Sequence, residues 1–148
     1  MALNTSPLRE ITQEDIDTYN RDGAVCIRKE LNQEWVDILL DQAREVIVEK
    51  KDVGLLPTIP GRYMARCLPD YRKLMFEGPV AEAAGKVLQS KEIRFFFDEF
   101  FAKPPQSDAA TLWHCDRMAF PVEGKMVPSL WIPLTPIVEE NCLEVLAG

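Results

Sequence analysis

The residues with the clearest capacity for chemistry are His114 and Asp116, which a single cysteine separates. The sequence predicts a β-strand over Thr111 to Asp116, and on a strand residues i and i+2 project from the same face. The imidazole and the carboxylate would then point together. Such a pair suits a ferrous ion of the two-histidine, one-carboxylate class, which leaves coordination positions open for a co-substrate and oxygen. Zinc is the alternative metal, although zinc sites normally contain more nitrogen or sulfur ligands.

A His-x-Asp pair is a weak signal by itself, because a surface histidine beside a solvated aspartate gives the same pattern. A different chemistry would use Cys115 as the nucleophile of a hydrolase, with His114 as its base. Neighbouring strand residues face opposite sides, so His114 would be badly placed for that role. The surrounding elements must therefore decide between these interpretations.

The second half of the chain is predicted to supply strands around the pair. The aromatic-rich segment Ile93 to Phe101 precedes it and ends before Lys103-Pro104-Pro105. Further strands are expected over Val127 to Thr135 and over Cys142 to Ala147, with turn-rich segments between them. These strands would form an antiparallel sheet or part of a barrel.

The first half is predicted to be largely helical. Thr12 can cap a helix that has Asp15 at the capping-box position, and Gly23 would end it. The apolar run Ala24 to Ile27 fits a short buried strand. Asn32 can then cap the clearest helix of the chain. One face of that helix is apolar and carries Trp35, Ile38, Leu39, Val46 and Ile47.

The segment from Leu55 to Asp70 is predicted to be a long loop, because it contains three prolines and a glycine that break regular structure. Loops of this length in compact domains are often functional. After it, Gly78-Pro79 would begin another helix. The buried side of that helix would carry Val80, Ala83, Ala84, Val87 and Leu88.

Composition and charge argue against several classes of protein. The chain has 148 residues, of which 47% are hydrophobic, and fits one domain with a buried core. Its net charge of -7 argues against nucleic-acid or anionic-membrane partners, since phosphate recognition requires a basic stripe. We see neither a membrane-spanning run nor a secretory signal, and the four cysteines form no C-x-x-C pair. We therefore expect a cytoplasmic protein with reduced thiols.

Three linked motifs in the second half resemble the phytanoyl-CoA dioxygenase family, whose pattern is W-H-x-D, then S-x-W-x-x-L, then E-N-x-x-L-x-x-x-x-G. The matching segments are Trp113-His114-Cys115-Asp116, Ser129-Leu130-Trp131-Ile132-Pro133-Leu134, and Glu140-Asn141-Cys142-Leu143 to Gly148. Their order and spacing agree with the family throughout. The likeness is strongest over Phe95 to Gly148, and the segment Asp22-Gly23-Ala24-Val25 fits it as well.

This resemblance implies an α+β fold, in which N-terminal helices over residues 1–90 precede the first strands of a double-stranded β-helix, or jelly roll, over residues 91–148. Together they would form a single, incomplete dioxygenase domain. The resemblance further implies an Fe(II)- and 2-oxoglutarate-dependent oxygenase with His114 and Asp116 as iron ligands. It would use O₂ to oxidise a small organic substrate and would release succinate and CO₂.

The resemblance also extends to residues around the metal. Trp131 would line the 2-oxoglutarate pocket, or else be a core aromatic. Thr111 would join it after a local twist, because a regular strand places Thr111 on the face opposite His114. Arg62 or Arg66, in the loop before the barrel, could reach the co-substrate or substrate, although loop arginines are usually solvated charges.

The sequence departs from the family pattern because His114 is its one histidine. The second histidine of the family, and the arginine that pairs with 2-oxoglutarate, would follow Gly148. We therefore expect a missing C-terminal segment or a second chain to complete the site, and a homodimer is one form that this could take. The alternative is a non-catalytic binding or regulatory module, a half barrel completed by dimerisation or by a partner chain.

Overall fold

The computed structural model describes residues 2–47, 63–102, 111–116, 120–124 and 126–147. The α-helices with defined bounds are α1 (Gln13–Asp22), α2 (Gln33–Ile47), α3 (Met64–Cys67), α4 (Pro69–Glu77) and α5 (Val80–Val87). A short 3-10 helix covers Glu139–Asn141. Among the described residues, no helix has the length and apolar character needed to cross a membrane.

The ends of α1 lie where the sequence predicts them. The side chain of Thr12 accepts a hydrogen bond from the Asp15 backbone, and the Asp15 carboxylate accepts one from the Thr12 N–H at 2.8 Å. At the other end Gly23 adopts a left-handed conformation with φ of 77° and donates its N–H to Tyr19 O at 2.9 Å. Glycine suits this position because a Cβ atom disfavours positive φ.

The predicted cap and apolar face of α2 are likewise confirmed. Asn32 Oδ1 accepts the Trp35 backbone N–H at 3.3 Å, and the indole N–H of Trp35 donates to Asn4 O at 2.8 Å. Trp35 and Leu39 are fully buried. They belong to the main core, a cluster formed by Trp35, Leu39, Ala43, Met64, Ala65, Leu68, Tyr71, Leu74 and Val80. Each large apolar side chain buried in this way stabilises the fold by about 1.5–3 kcal/mol.

A second, smaller core joins α1 to α5. Ile11, just before α1, packs with Ala83 and Val87 on α5. The predicted helix after Gly78-Pro79 is therefore confirmed, with Val80, Ala83, Ala84 and Val87 buried.

The loop predicted between residues 55 and 70 is wrong for its second part, while residues 55–62 lie outside the described residues. Helix α3 begins at Met64, and α4 begins at Pro69. Pro69 occupies the first turn of α4, where the N–H that proline lacks would have had no partner within the helix. A proline that the prediction took as a breaker is here a helix start.

The predicted jelly roll, and with it the α+β class, is wrong for the described part of the chain. That part is helical and contains no sheet, and its one strand-like position is an isolated bridge at Glu99. The described residues of the five predicted strands, 24–27, 93–101, 111–116, 127–135 and 142–147, are otherwise without regular strand structure. A strand is stabilised by hydrogen bonds to a neighbouring strand, so apolar and aromatic composition favours a strand without providing its partner.

Several contacts nevertheless attach the second half of the chain to the helices. Ile132 and Leu134 are partly buried against the main core, as is Phe100. The carboxylate of Asp98 accepts the Ala65 N–H at 3.0 Å. Asp98 thereby satisfies a backbone donor in the first turn of α3, which has no side-chain cap of its own.

Candidate metal centre

His114 and Asp116 lie in contact although the predicted strand is absent. His114 Nε2 is 3.3 Å from Asp116 Oδ1, and both side chains are partly exposed. We call His114 and Asp116 the metal pair, because they are the two candidate ligands of one metal. Ligands of a metal that binds further molecules must be reachable from solvent, and these two side chains are. The contact is an observation, whereas the role of the two residues as iron ligands stays a prediction.

The other nitrogen of the imidazole is held by the backbone. His114 Nδ1 lies 2.7 Å from the carbonyl oxygen of Leu112. A carbonyl oxygen only accepts hydrogen bonds, so Nδ1 carries a proton and donates it. In the neutral imidazole this leaves a lone pair on Nε2, the atom that faces Asp116. A backbone carbonyl that orients a histidine in this way is a common feature of metal sites.

The donor set fits a divalent cation. A neutral Nε2 and an ionised carboxylate oxygen are both acceptors, so their contact needs either a proton on Nε2 or a cation between them. Two ligand atoms about 2.1 Å from one metal, at about 90–110° to each other, are separated by about 3.0–3.4 Å. The 3.3 Å separation of the two atoms lies within this range. His114 and Asp116 therefore match one edge of a metal coordination polyhedron.

Ser129 is a third member of the site, which the sequence did not predict. Its hydroxyl donates a hydrogen bond to Asp116 Oδ2, the carboxylate oxygen that does not face His114. Ser129 stands two residues before Trp131 in the S-x-W motif, and the motif was interpreted through Trp131 alone. A serine in a motif linked to the metal pair was the available signal.

The remaining predicted site residues lie at different places. Trp131 and Thr111 are exposed, and no contact described for this chain joins either one to the metal pair. The guanidinium of Arg66 stacks over the Tyr63 ring, 4.6 Å from its centre. Arg62 lies outside the described residues. The cofactor-binding roles of all four stay predictions.

Tyr63, Phe96, Phe97 and Phe120 form an aromatic cluster, and the guanidinium of Arg66 stacks on its Tyr63 ring. The rings of Tyr63 and Phe97 are 6.0 Å apart, and those of Phe97 and Phe120 are 5.0 Å apart. Because Phe120 follows Asp116 by four residues, their Cα atoms are at most about 14 Å apart.

The described residues offer two candidate ligands at this place, His114 and Asp116. Among them no group of three or more histidine, cysteine, aspartate or glutamate side chains is arranged to hold a metal. His114, Asp116 and Ser129 thus form one edge of the candidate metal site.

Comparison with known proteins agrees with this chemistry. The model of the family described as phytanoyl-CoA dioxygenase (PhyH) matches residues 19–148, a range that includes helices α2 to α5 and the pair of His114 and Asp116. Comparisons with curated proteins and with solved structures gave no match. Members of the matching family are dioxygenases, and the family falls within the Fe(II)- and 2-oxoglutarate-dependent oxygenases. The chain belongs to the phytanoyl-CoA dioxygenase family.

Proposed function

We propose that this protein is an Fe(II)- and 2-oxoglutarate-dependent oxygenase that oxidises a small organic substrate with O₂ and forms succinate and CO₂. The observation that carries the proposal is the contact between His114 and Asp116, which lies inside the range matched by the family. An imidazole and a carboxylate on one edge of a metal are what the ferrous oxygenases of the two-histidine, one-carboxylate class require.

Each ligand has a defined atom to offer in this proposal. His114 provides Nε2, while its Nδ1–H remains bound to the Leu112 carbonyl. Asp116 provides Oδ1, while Oδ2 remains bound to Ser129. When bound, the iron and 2-oxoglutarate would supply the oxidising chemistry, and the chain supplies binding and orientation.

The proposal also requires a second imidazole. Because His114 is the one histidine of the sequence, the other histidine ligand comes from outside these 148 residues, in further sequence or in a second chain. The same source would provide the arginine for the far carboxylate of 2-oxoglutarate. Two ligands on one edge leave the remaining positions free for that imidazole, the co-substrate and oxygen.

Four residues are proposed to contact 2-oxoglutarate or the substrate. Arg66 presents an exposed guanidinium beside the aromatic cluster, and its planar fork of N–H donors suits a carboxylate. Trp131 presents a half-exposed indole from the segment that also carries Ser129. Arg62 and Thr111 complete the proposed set, on the family resemblance alone.

Metal titration tests the ligand assignment directly. Under anaerobic conditions, Fe(II) should bind the wild-type protein, and His114→Ala and Asp116→Ala should each weaken binding by at least about 10–100-fold, the loss typical of even an outer-shell change. Glu144→Ala, which removes another exposed carboxylate, is the matched control and should leave the affinity unchanged. Equal Fe(II) affinity of all four proteins would show that His114 and Asp116 do not bind the metal.

Turnover tests the reaction. Protein purified from its natural source, so that any chain that completes the site is retained, should form succinate from 2-oxoglutarate when Fe(II) and O₂ are present. The variants His114→Ala and Asp116→Ala should form none. Folded, iron-loaded protein that forms no succinate would overturn the proposed function even if the metal site itself survived the titration.

A further inference from the structure

The carboxylate of Asp116 has a different neighbour on each oxygen. Oδ1 faces His114 Nε2 at 3.3 Å, and Oδ2 accepts the hydroxyl of Ser129, which stands 13 residues further along the chain. The terminal torsion of an aspartate side chain is broad, so an unrestrained carboxylate samples many orientations. The hydrogen bond from Ser129 at Oδ2 restricts that freedom.

The segment that carries Ser129 is itself anchored. Ile132 and Leu134 pack against the main core, whereas Ser129 and Trp131 are exposed. Ser129 is therefore next to side chains that are partly buried against the main core. Through its hydrogen bond, the Ser129 hydroxyl restrains Asp116. Asp116 itself lies in a segment with exposed apolar neighbours such as Leu112 and Trp113.

We infer that Ser129 is a positioning residue, whose hydroxyl occupies Asp116 Oδ2 and so directs Oδ1 alone towards the metal. The inference rests on the proposed function, since it requires a metal at His114 and Asp116. In this role Ser129 limits the Asp116 carboxylate to one coordination position of the metal. A carboxylate that rotates freely can bind through both oxygens, and the second oxygen would then take a position that a chelating co-substrate needs.

A purely structural role for the same hydrogen bond predicts something else. An exposed hydrogen bond between two segments makes only a small contribution to stability. Its loss would then change unfolding and leave metal binding as it was. Metal affinity and the coordination geometry of the bound metal therefore separate the two roles.

The test uses Co(II) alone as the probe, because its visible absorption reports both binding and coordination number. Ser129→Val and Ser129→Thr have nearly the same shape and differ in the hydroxyl, so the pair isolates the hydrogen bond. We expect Ser129→Val to bind Co(II) about tenfold more weakly than wild type with an altered spectrum, and Ser129→Thr to stay close to wild type in both. Ser90→Ala, which removes a serine hydroxyl that donates to the Glu92 backbone carbonyl, is the control and should have no effect.

The outcomes distinguish this inference from the proposed function. If His114→Ala and Asp116→Ala abolish Co(II) binding while Ser129→Val binds and absorbs as wild type does, Ser129 is not a positioning residue and the metal site stands. If His114→Ala and Asp116→Ala also bind Co(II) as wild type does, the metal site and the inference fail together. Thermal unfolding of each metal-free variant identifies any that fails to fold. If Ser129→Val does not fold, Ser129→Ala takes its place and should also bind Co(II) more weakly than wild type, with an altered spectrum.

Discussion

The two halves of this molecule differ in how far they bury tryptophan side chains. In the helical half, Trp35 is 0% exposed and its indole N–H is bound. In the second half, Trp113 is 64% exposed and Trp131 is 47% exposed. A helix satisfies its backbone hydrogen bonds internally, so helices need only bury one face against one another. Segments with strand-like composition depend on a distant partner, and here they carry the candidate metal ligands while the helices form most of the core.

The largest difference in stability between the two halves is expected at the tryptophans. Trp35→Ala should lower the free energy of unfolding by about 3–5 kcal/mol, because it removes a fully buried ring and leaves a cavity. Trp131→Ala is the matched control and should cost less than about 1 kcal/mol, because its ring is half in solvent. Urea unfolding measures both. Equal losses would contradict the division of the chain into a buried and an exposed half.

Tyr71 tests the polar side of the core. Its hydroxyl donates to Leu39 O at 3.0 Å, so Tyr71→Phe should cost about 1–1.5 kcal/mol. Burial, with a smaller contribution from Asp98, raises the pKa of Tyr71 above its ordinary value. The unfolded chain therefore loses the phenol proton first, and wild-type stability should fall as the pH rises above about 10.

Urea unfolding at several alkaline pH values measures this loss. Tyr71→Phe should lack the part of the decline that belongs to this phenol. Ser129→Ala, which removes an exposed hydroxyl, is the control and should change metal-free stability by no more than about 0.5 kcal/mol. An alkaline decline identical in wild type and Tyr71→Phe would contradict the raised pKa.

The capping box of α1 tests how much a local motif stabilises the helical half. Asp15→Asn should cost about 1 kcal/mol, because the carboxylate completes the capping box and accepts two hydrogen bonds from Arg9. These contacts, led by Arg9, lower the pKa of Asp15 below its ordinary value of 3.8. The stability that they contribute is present above that value and is lost as the pH falls below it.

Thermal unfolding between neutral and acidic pH measures the cap. Asp17→Asn, on an exposed position of α1, is the control and should change stability by less than about 0.5 kcal/mol. An acid profile of Asp15→Asn that coincides with wild type would show that the carboxylate does not support the helix.

The smallest effects are expected at apolar residues of the second half. Leu112 is 84% exposed and Leu146 is 77% exposed, so Leu112→Ser and Leu146→Ser should each change stability by no more than about 0.5 kcal/mol. Leu39→Ala, at a fully buried position of α2, should cost about 2–5 kcal/mol in the same unfolding assay. A large loss at either exposed leucine would show that these side chains are buried in solution.

The features that the sequence predicted correctly are local. Thr12 and Gly23 bound α1, and Asn32 caps α2, because a cap depends on residues within one turn of the helix. The spacing of Trp35 and Leu39 placed them on one buried face for the same reason. His114 and Asp116 were recognisable because they are two residues apart and share a family motif.

The features that only the tertiary structure decided join residues that are far apart in sequence. Strand composition was visible over residues 93–101 and 127–135, but pairing depends on which other segment lies alongside, and composition does not specify that. The hydrogen bond from Ser129 to Asp116 spans 13 residues, and the bond from Ala65 to Asp98 spans 33. The sequence alone thus determined the helix ends and indicated His114 and Asp116 as candidate metal ligands. Tertiary structure decided what holds that pair, since contacts between distant segments exist only after the chain has packed.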